Sequence, residues 1–189
     1  MKKLKLTLIG DYNVGKTSIL NAYLDKDVYN TKSTLGIDFF TKVIFVNDDQ
    51  YNMTCWDTAG SERFHSLTQT YIRDSDIVIL VYDCGLRTSR INYWMRKVEQ
   101  SKPKIVGILG SKDDLTNVFR EDIYELVEPW TRQNWKIITG KCSSRNPKSV
   151  KDFFQECIKI ATQNNTQNIM KIPNISLEPP KNKNRTCCT

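Results

Sequence analysis

Leu4-Lys5-Leu6-Thr7-Leu8-Ile9, running into Gly10-Asp11-Tyr12-Asn13-Val14-Gly15-Lys16-Thr17, is the stretch on which the fold turns. The first part is an apolar-rich run that stops at glycine and reads as a short strand. The second fits the pattern Gly-x-x-x-x-Gly-Lys-Ser/Thr, and Ile19, Leu20, Tyr23 and Leu24 then recur at helical spacing over Thr17 to Leu24. A strand, a glycine loop and a helix in that order form the context in which such a loop holds phosphate. The glycines let the backbone curl until its N–H groups and the helix N-terminus face one anion. In that arrangement Lys16 reaches the β and γ oxygens of a nucleotide, and the Thr17 hydroxyl holds Mg²⁺. The plainer alternative is a glycine turn with an incidental Lys-Thr pair.

Outward from this loop, Phe39 to Val46 and Tyr51 to Asp57 are strand-like. Asn47-Asp48-Asp49-Gln50 joins them with hairpin chemistry, so the two are expected to be antiparallel neighbours. Ile77 to Tyr82 and Ile105 to Leu109 are continuous apolar runs of the kind buried on both faces, and Trp135 to Ile138 is a shorter one. Ile91 to Val98, Ile123 to Trp130 and Val150 to Ile160 carry helical periodicity. This alternation predicts an α/β fold with a mostly parallel sheet and helices on both faces. Beyond Thr162 the chain turns to Gln163-Asn164-Asn165-Thr166-Gln167-Asn168, Pro173, Pro179-Pro180 and a basic end, with no periodic apolar face. The expected organisation is one domain over residues 1–162 and a flexible tail over 163–189.

The whole chain has 189 residues, 39% hydrophobic and 26% charged, enough for one full core and no long apolar span. The apolar patch before Gly10 is too short for a secretory leader, so a cytoplasmic protein is expected. Six cysteines form no CxxC pair and His65 is the only histidine, which argues against zinc sites and structural disulfides. The net charge is +7, and nearly half of the excess lies in the tail, on Lys171, Lys181, Lys183 and Arg185 against Glu178. No basic-aromatic pattern suggests nucleic acid, so the charge suits an anionic membrane better.

Asp57-Thr58-Ala59-Gly60 ends another strand. An Asp there is suited to hold Mg²⁺, and a Gly three residues later to offer its N–H to a γ-phosphate. Ser111-Lys112-Asp113-Asp114 follows the Ile105 to Leu109 strand at the sheet edge where α/β proteins bind ligands. A carboxylate at Asp114 would accept two N–H bonds from a guanine edge and repel adenine, although a solvated turn would look the same on spacing alone.

Together these residues resemble the Ras-like small GTPases, and within them the Rab family, over roughly Leu4 to Ala161 and at the terminal cysteines. Ser33-Thr34-Leu35-Gly36-Ile37-Asp38-Phe39 and Trp56-Asp57-Thr58-Ala59-Gly60-Ser61-Glu62-Arg63-Phe64 carry most of the resemblance. Ser66-Leu67 and Tyr71-Ile72-Arg73-Asp74-Ser75 look most like the Golgi-associated branch. The resemblance implies the P-loop small-GTPase fold, with a six-stranded sheet containing one antiparallel strand. It also implies a monomeric GTP/GDP- and Mg²⁺-dependent switch of vesicle traffic. Nucleotide would be held by Asn13, Val14, Gly15, Lys16, Thr17, Ser18, Tyr29, Thr34, Gly60, Ser111, Lys112, Asp114, Ser143, Ser144 and Arg145. The metal ligands would be Thr17, Thr34 and Asp57, and hydrolysis would depend on Ser61, Lys16 and Thr34. Loss of the γ-phosphate would release the loops carrying Thr34 (switch I) and Gly60 (switch II). Phe39, Trp56 and Tyr71 match the family's effector-binding aromatic triad, the alternative being that they are core residues. Cys187-Cys188-Thr189 resembles an end that receives two geranylgeranyl chains, and two lipids with basic neighbours hold a membrane stably where one does not. Unmodified thiols are the alternative. Implied partners are an exchange factor, an activating protein, effectors and prenyl-chaperone proteins. The implied location is the cytosol and the cytosolic face of a Golgi or endosomal membrane.

Several positions depart from the family pattern. Tyr12 and Asn13 stand where small residues are usual, and Tyr12 is expected to crowd the γ-phosphate and block an arginine finger. Ser61 replaces a water-orienting glutamine, which predicts weak intrinsic hydrolysis. Ser111 replaces the asparagine that braces the base site. The interval from Lys16 to Thr34 is one residue short, leaving Tyr29 as the ring to cover guanine. The rival reading is a membrane-anchored interaction scaffold that hydrolyses nucleotide negligibly or binds it poorly. A nucleotide kinase is more distant.

Overall fold

The computed structural model describes residues 1–34, 36–60, 65–86, 90–115, 123–131, 133 and 135–163. In chain order the elements are β1 (Lys2–Ile9), α1 (Lys16–Tyr23), β2 (Ile37–Val46), β3 (Asp49–Thr58), α2 (His65–Ile72) and β4 (Ile77–Asp83). They continue with α3 (Ile91–Glu99), β5 (Ile105–Ser111), a 3₁₀ turn at Asp113–Leu115, α4 (Ile123–Thr131), β6 (Ile137–Lys141) and α5 (Pro147–Thr162). The six strands form one sheet in the order β2-β3-β1-β4-β5-β6. β2 pairs antiparallel with β3, and every other pairing is parallel.

The central strands are apolar at consecutive positions because both faces of the sheet are covered. On one face Leu4, Leu6 and Leu8 of β1 and Ile77, Ile79 and Val81 of β4 pack with α1 and α5, where Tyr23 stacks on Phe154 at 4.3 Å. Gly107 and Gly140 lie beneath Phe153, whose ring occupies the space a side chain would need. On the other face Ile9, Val78, Leu80, Val106 and Ile108 meet Trp94, Met95 and Val98 of α3 and Val127 and Trp130 of α4. The four described cysteines, Cys55, Cys84, Cys142 and Cys157, are buried free thiols. Burial pushes those of Cys55 and Cys84 up to about 12. No helix among the described residues is long and apolar enough to cross a membrane.

The hairpin turn is tighter than the composition suggests. Only Asn47 and Asp48 lie between β2 and β3, with Asn47 left-handed at φ 53°. Helix α2 has no counterpart among the predicted elements: among its residues whose burial is described, Thr68 and Ile72 are the buried ones, and the segment lacks apolar periodicity. The sixth strand begins at Ile137 rather than Trp135. The Trp135 N–H donates to the Trp130 carbonyl at 3.3 Å, which makes it part of the exit from α4.

Candidate nucleotide site

The loop between β1 and α1 is built from left-handed residues: Asn13 at φ 60° and Gly15 at φ 91°, the latter capping α1. Asparagine is one of the few residues with a side chain that takes this conformation readily. α1 has no side-chain cap and no acid in its first turn, so its N-terminal N–H groups remain available to an anion. Lys16 is 6% exposed, and its Nζ donates to the carbonyls of Gly10 at 3.0 Å and Asp11 at 2.7 Å. Burial pulls the Lys16 pKa down to about 8, against the opposing attraction of Asp57 and Asp11.

Asp57, fully buried at the end of β3, is the focus of the site. The Thr17 hydroxyl donates to its Oδ2 at 2.6 Å. The Thr34 hydroxyl lies 3.1 Å from the same oxygen and 2.9 Å from Thr17 Oγ1. Oδ1 of Asp57 is buried with no hydrogen-bond partner. Burial raises the carboxyl pKa above its ordinary value, opposed by the Thr17 bond, the Lys16 charge and the Thr34 bond. One carboxylate and two hydroxyls are a hard oxygen set that suits a divalent cation, and the orphaned oxygen is the feature such an ion would satisfy. The next residues fasten the end of β3 to β1 and to the residue before β2. The Thr58 hydroxyl donates to the Leu8 carbonyl at 2.7 Å, and the Ala59 N–H donates to the Gly36 carbonyl at 2.9 Å. Gly60 sits so close that an added Cβ would collide with the Asp11 carbonyl and the Lys16 ammonium. A cavity results, lined by residues 12–13, 15–18, 31–34 and 58–60.

The second half of the site lies at the ends of β5 and β6. The Lys112 Nζ donates to the Asn13 carbonyl at 2.8 Å and pairs with Asp83 at 2.8 Å. Ser111, expected to serve the base site in place of asparagine, is buried beneath the phosphate loop. Its Oγ lies 2.5 Å from the Val14 carbonyl and 2.9 Å from the Tyr82 carbonyl, tying β4 and β5 to the loop. Arg145 reaches across to Asp114 at 3.2 Å, and its N–H donates to Ser143 Oγ at 3.1 Å. Ser143 is buried and Ser144 half-buried at the same end. Tyr29 is 75% exposed on a turn held by Asp27, away from the cavity lining.

Asp11, Trp94 and Arg90 were not singled out by the sequence. Trp94 Nε1 donates to Asp11 Oδ1 at 3.0 Å, and Arg90 Nε lies 3.3 Å from the same oxygen, so α3 clamps the loop from outside. The only available signal was an acid at a variable position of the motif. Phe39, Trp56 and Tyr71 form a continuous aromatic strip across β2, β3 and α2, with ring spacings of 5.4 and 5.9 Å. Phe39 is 63% exposed, and the other two are half-buried rather than core. Ser61, Cys187 and Cys188 lie outside the described residues.

A glycine loop between β1 and α1, polar side chains after β5 and β6, and two separate segments meeting near Asp57 match the layout of a P-loop nucleotide switch. The family model for the Ras family matches residues 5–163. The chain is similar to the Ras-related protein RABG1 of Arabidopsis thaliana, at 34% identity, with 96% of this chain and 97% of that one aligned. It is also similar to the Ras-related protein Rab7 of Cenchrus ciliaris, at 32% identity over 90% of this chain and 87% of that one. The chain belongs to the Ras family of small GTPases, in its Rab branch: a GTP-binding, GTP-hydrolysing switch that works through guanine nucleotide, regulators and effectors.

Proposed function

We propose that this Rab-type switch requires Mg²⁺, hydrolyses GTP slowly and acts in vesicle traffic from a lipid anchor on an endomembrane of Golgi or endosomal type. The observation that carries the reading is the convergence of Thr17 and Thr34 on one oxygen of Asp57 while the other oxygen is buried and unpartnered. Bound there, Mg²⁺ would neutralise charge on the β and γ oxygens of the nucleotide. Asn13, Val14, Gly15, Lys16, Thr17 and Ser18 surround the phosphates, and Thr34 and Gly60 respond to the γ-phosphate. Lys112, Asp114, Ser143, Ser144 and Arg145 hold the guanine, with Ser111 bracing the loop and Tyr29 shielding the base. Ser61 carries a hydroxyl too short to orient the attacking water as a longer amide does, which is the source of the slow step. The strip of Phe39, Trp56 and Tyr71 receives effectors that read both switches. Cys187 and Cys188 carry the lipids, with a prenyl-chaperone protein, an exchange factor and an activating protein as further partners.

The test is release of bound guanine nucleotide with Mg²⁺ present and after chelation. Chelation should speed release from the wild-type protein by at least about tenfold, whereas Asp57→Asn should release quickly under both conditions. A wild-type rate indifferent to chelation would contradict the metal role. Single-turnover hydrolysis should be faster in Ser61→Gln, and equal rates would remove the assigned cause of slow turnover.

A further inference from the structure

The phosphate loop carries one large exposed side chain, and it crosses the mouth of the cavity. Tyr12 is 61% exposed, lines the cavity together with Lys16, Thr34 and Gly60, and places its hydroxyl 3.1 Å from Ser33 Oγ. Its backbone position is set from behind, because the neighbouring Asp11 is held by Trp94 of α3 and by Arg90, the residue that precedes that helix. The segment it reaches is fastened elsewhere from the inside: Thr31 lies 3.3 Å from Ser18, and Thr34 is bonded to the Thr17–Asp57 pair. Tyr12 supplies the fastening at the outer rim.

We propose that Tyr12 is a positioning residue that latches switch I to the phosphate loop through Ser33, slowing nucleotide escape and supplying part of the closure otherwise left to the γ-phosphate. The inference rests on the guanine-nucleotide reading of the same cavity. A hydroxyl pair spanning two segments holds them together only while both are closed, so its loss favours the open form and its contribution appears in the release rate. The phenol also stands in the path of any group that a partner would insert from solvent toward the γ-phosphate.

The experiment follows release of fluorescent GDP from the full chain in Mg²⁺ for wild type, Tyr12→Phe, Ser33→Ala and the double variant. Tyr12→Phe keeps the ring and removes only the bond, which separates latching from bulk. Each single variant should release about two- to tenfold faster, the range expected for one neutral hydrogen bond. The double variant should be no faster than the faster single, because both remove the same contact. Single variants with the wild-type rate, or effects that multiply in the double, would overturn the latch. A wild-type protein that takes up no guanine nucleotide would bring down the nucleotide reading and the latch together. That result is distinct from normal uptake with unchanged release, which removes the latch alone.

Discussion

Raising the pH from about 7 to about 8.8 should weaken GDP binding about sixfold, through one buried ammonium. Lys16 sits behind the phosphate loop with its pKa pulled down to about 8, and only the protonated form is a partner for phosphate oxygens. The groups facing it are Asp57 and Asp11, both of which favour the charge, while burial opposes it more strongly. At about pH 7 roughly nine-tenths of the free protein is protonated at this position. At about pH 8.8 only about one-seventh is, and the ratio gives the sixfold change, or about 1 kcal/mol. Bound phosphates raise the pKa of Lys16, so binding takes up a proton and becomes weaker as the pH rises. Folding responds with the opposite sign. The unfolded chain keeps this proton to about 10.5, so between about 8 and 10.5 it binds more protons than the free folded protein. In that window the contribution of Lys16 to stability rises with pH. The assay is equilibrium titration of GDP in Mg²⁺ across this range, kept below the region where the guanine ring loses its own proton. Lys16→Arg, which stays charged throughout, is the control. An unchanged Kd in the wild type, or an equal loss in Lys16→Arg, would refute the argument.

Ser111→Ala removes the hydroxyl that reaches the Val14 and Tyr82 carbonyls, and should cost about 1–3 kcal/mol of stability while speeding nucleotide release. Thermal unfolding and the release rate check it, and an unshifted Tm would contradict the bracing role. Trp94→Phe keeps most of the buried ring but loses the bond to Asp11. It should lower stability by about 1 kcal/mol or more and loosen the loop, as read by denaturant unfolding and GDP affinity. Gly60→Ala places a methyl against the Asp11 carbonyl and the Lys16 ammonium, so switch II must move away from the loop. The GTP-to-GDP affinity ratio should fall, and an unchanged ratio would contradict the placement of Gly60.

The sheet was legible because its signals are local. The strand before Gly10, the hairpin residues after Val46 and the doubly buried runs in β4 and β5 each announce themselves within a few residues. α2 was not, since the buried positions described in it, Thr68 and Ile72, do not announce a helix by apolar periodicity. In the site, the motif residues could be named from spacing, and the structure brings Lys16, Thr17 and Thr34 together around one cavity, with the buried Asp57 bonded to both threonines. Pairings between distant positions could not be read. Nothing near Asp11 in the chain indicates that Trp94, 83 residues on, will bond to it. Nothing near Ser111 indicates that its short side chain reaches the Val14 carbonyl of the loop and the Tyr82 carbonyl of β4. Likewise the bulk of Tyr12 could be read from the sequence, but its partner Ser33 could not.

The most direct test of the account is the nucleotide content of the full-length protein freshly purified in Mg²⁺, measured by denaturing it and separating what is released. The account predicts about one guanine nucleotide per chain, with a substantial share as GTP because turnover through Ser61 is slow. Protein that comes out empty, and gains no thermal stability when GDP or GTP is added, would contradict it and leave a membrane-anchored scaffold with a Rab fold as the better description.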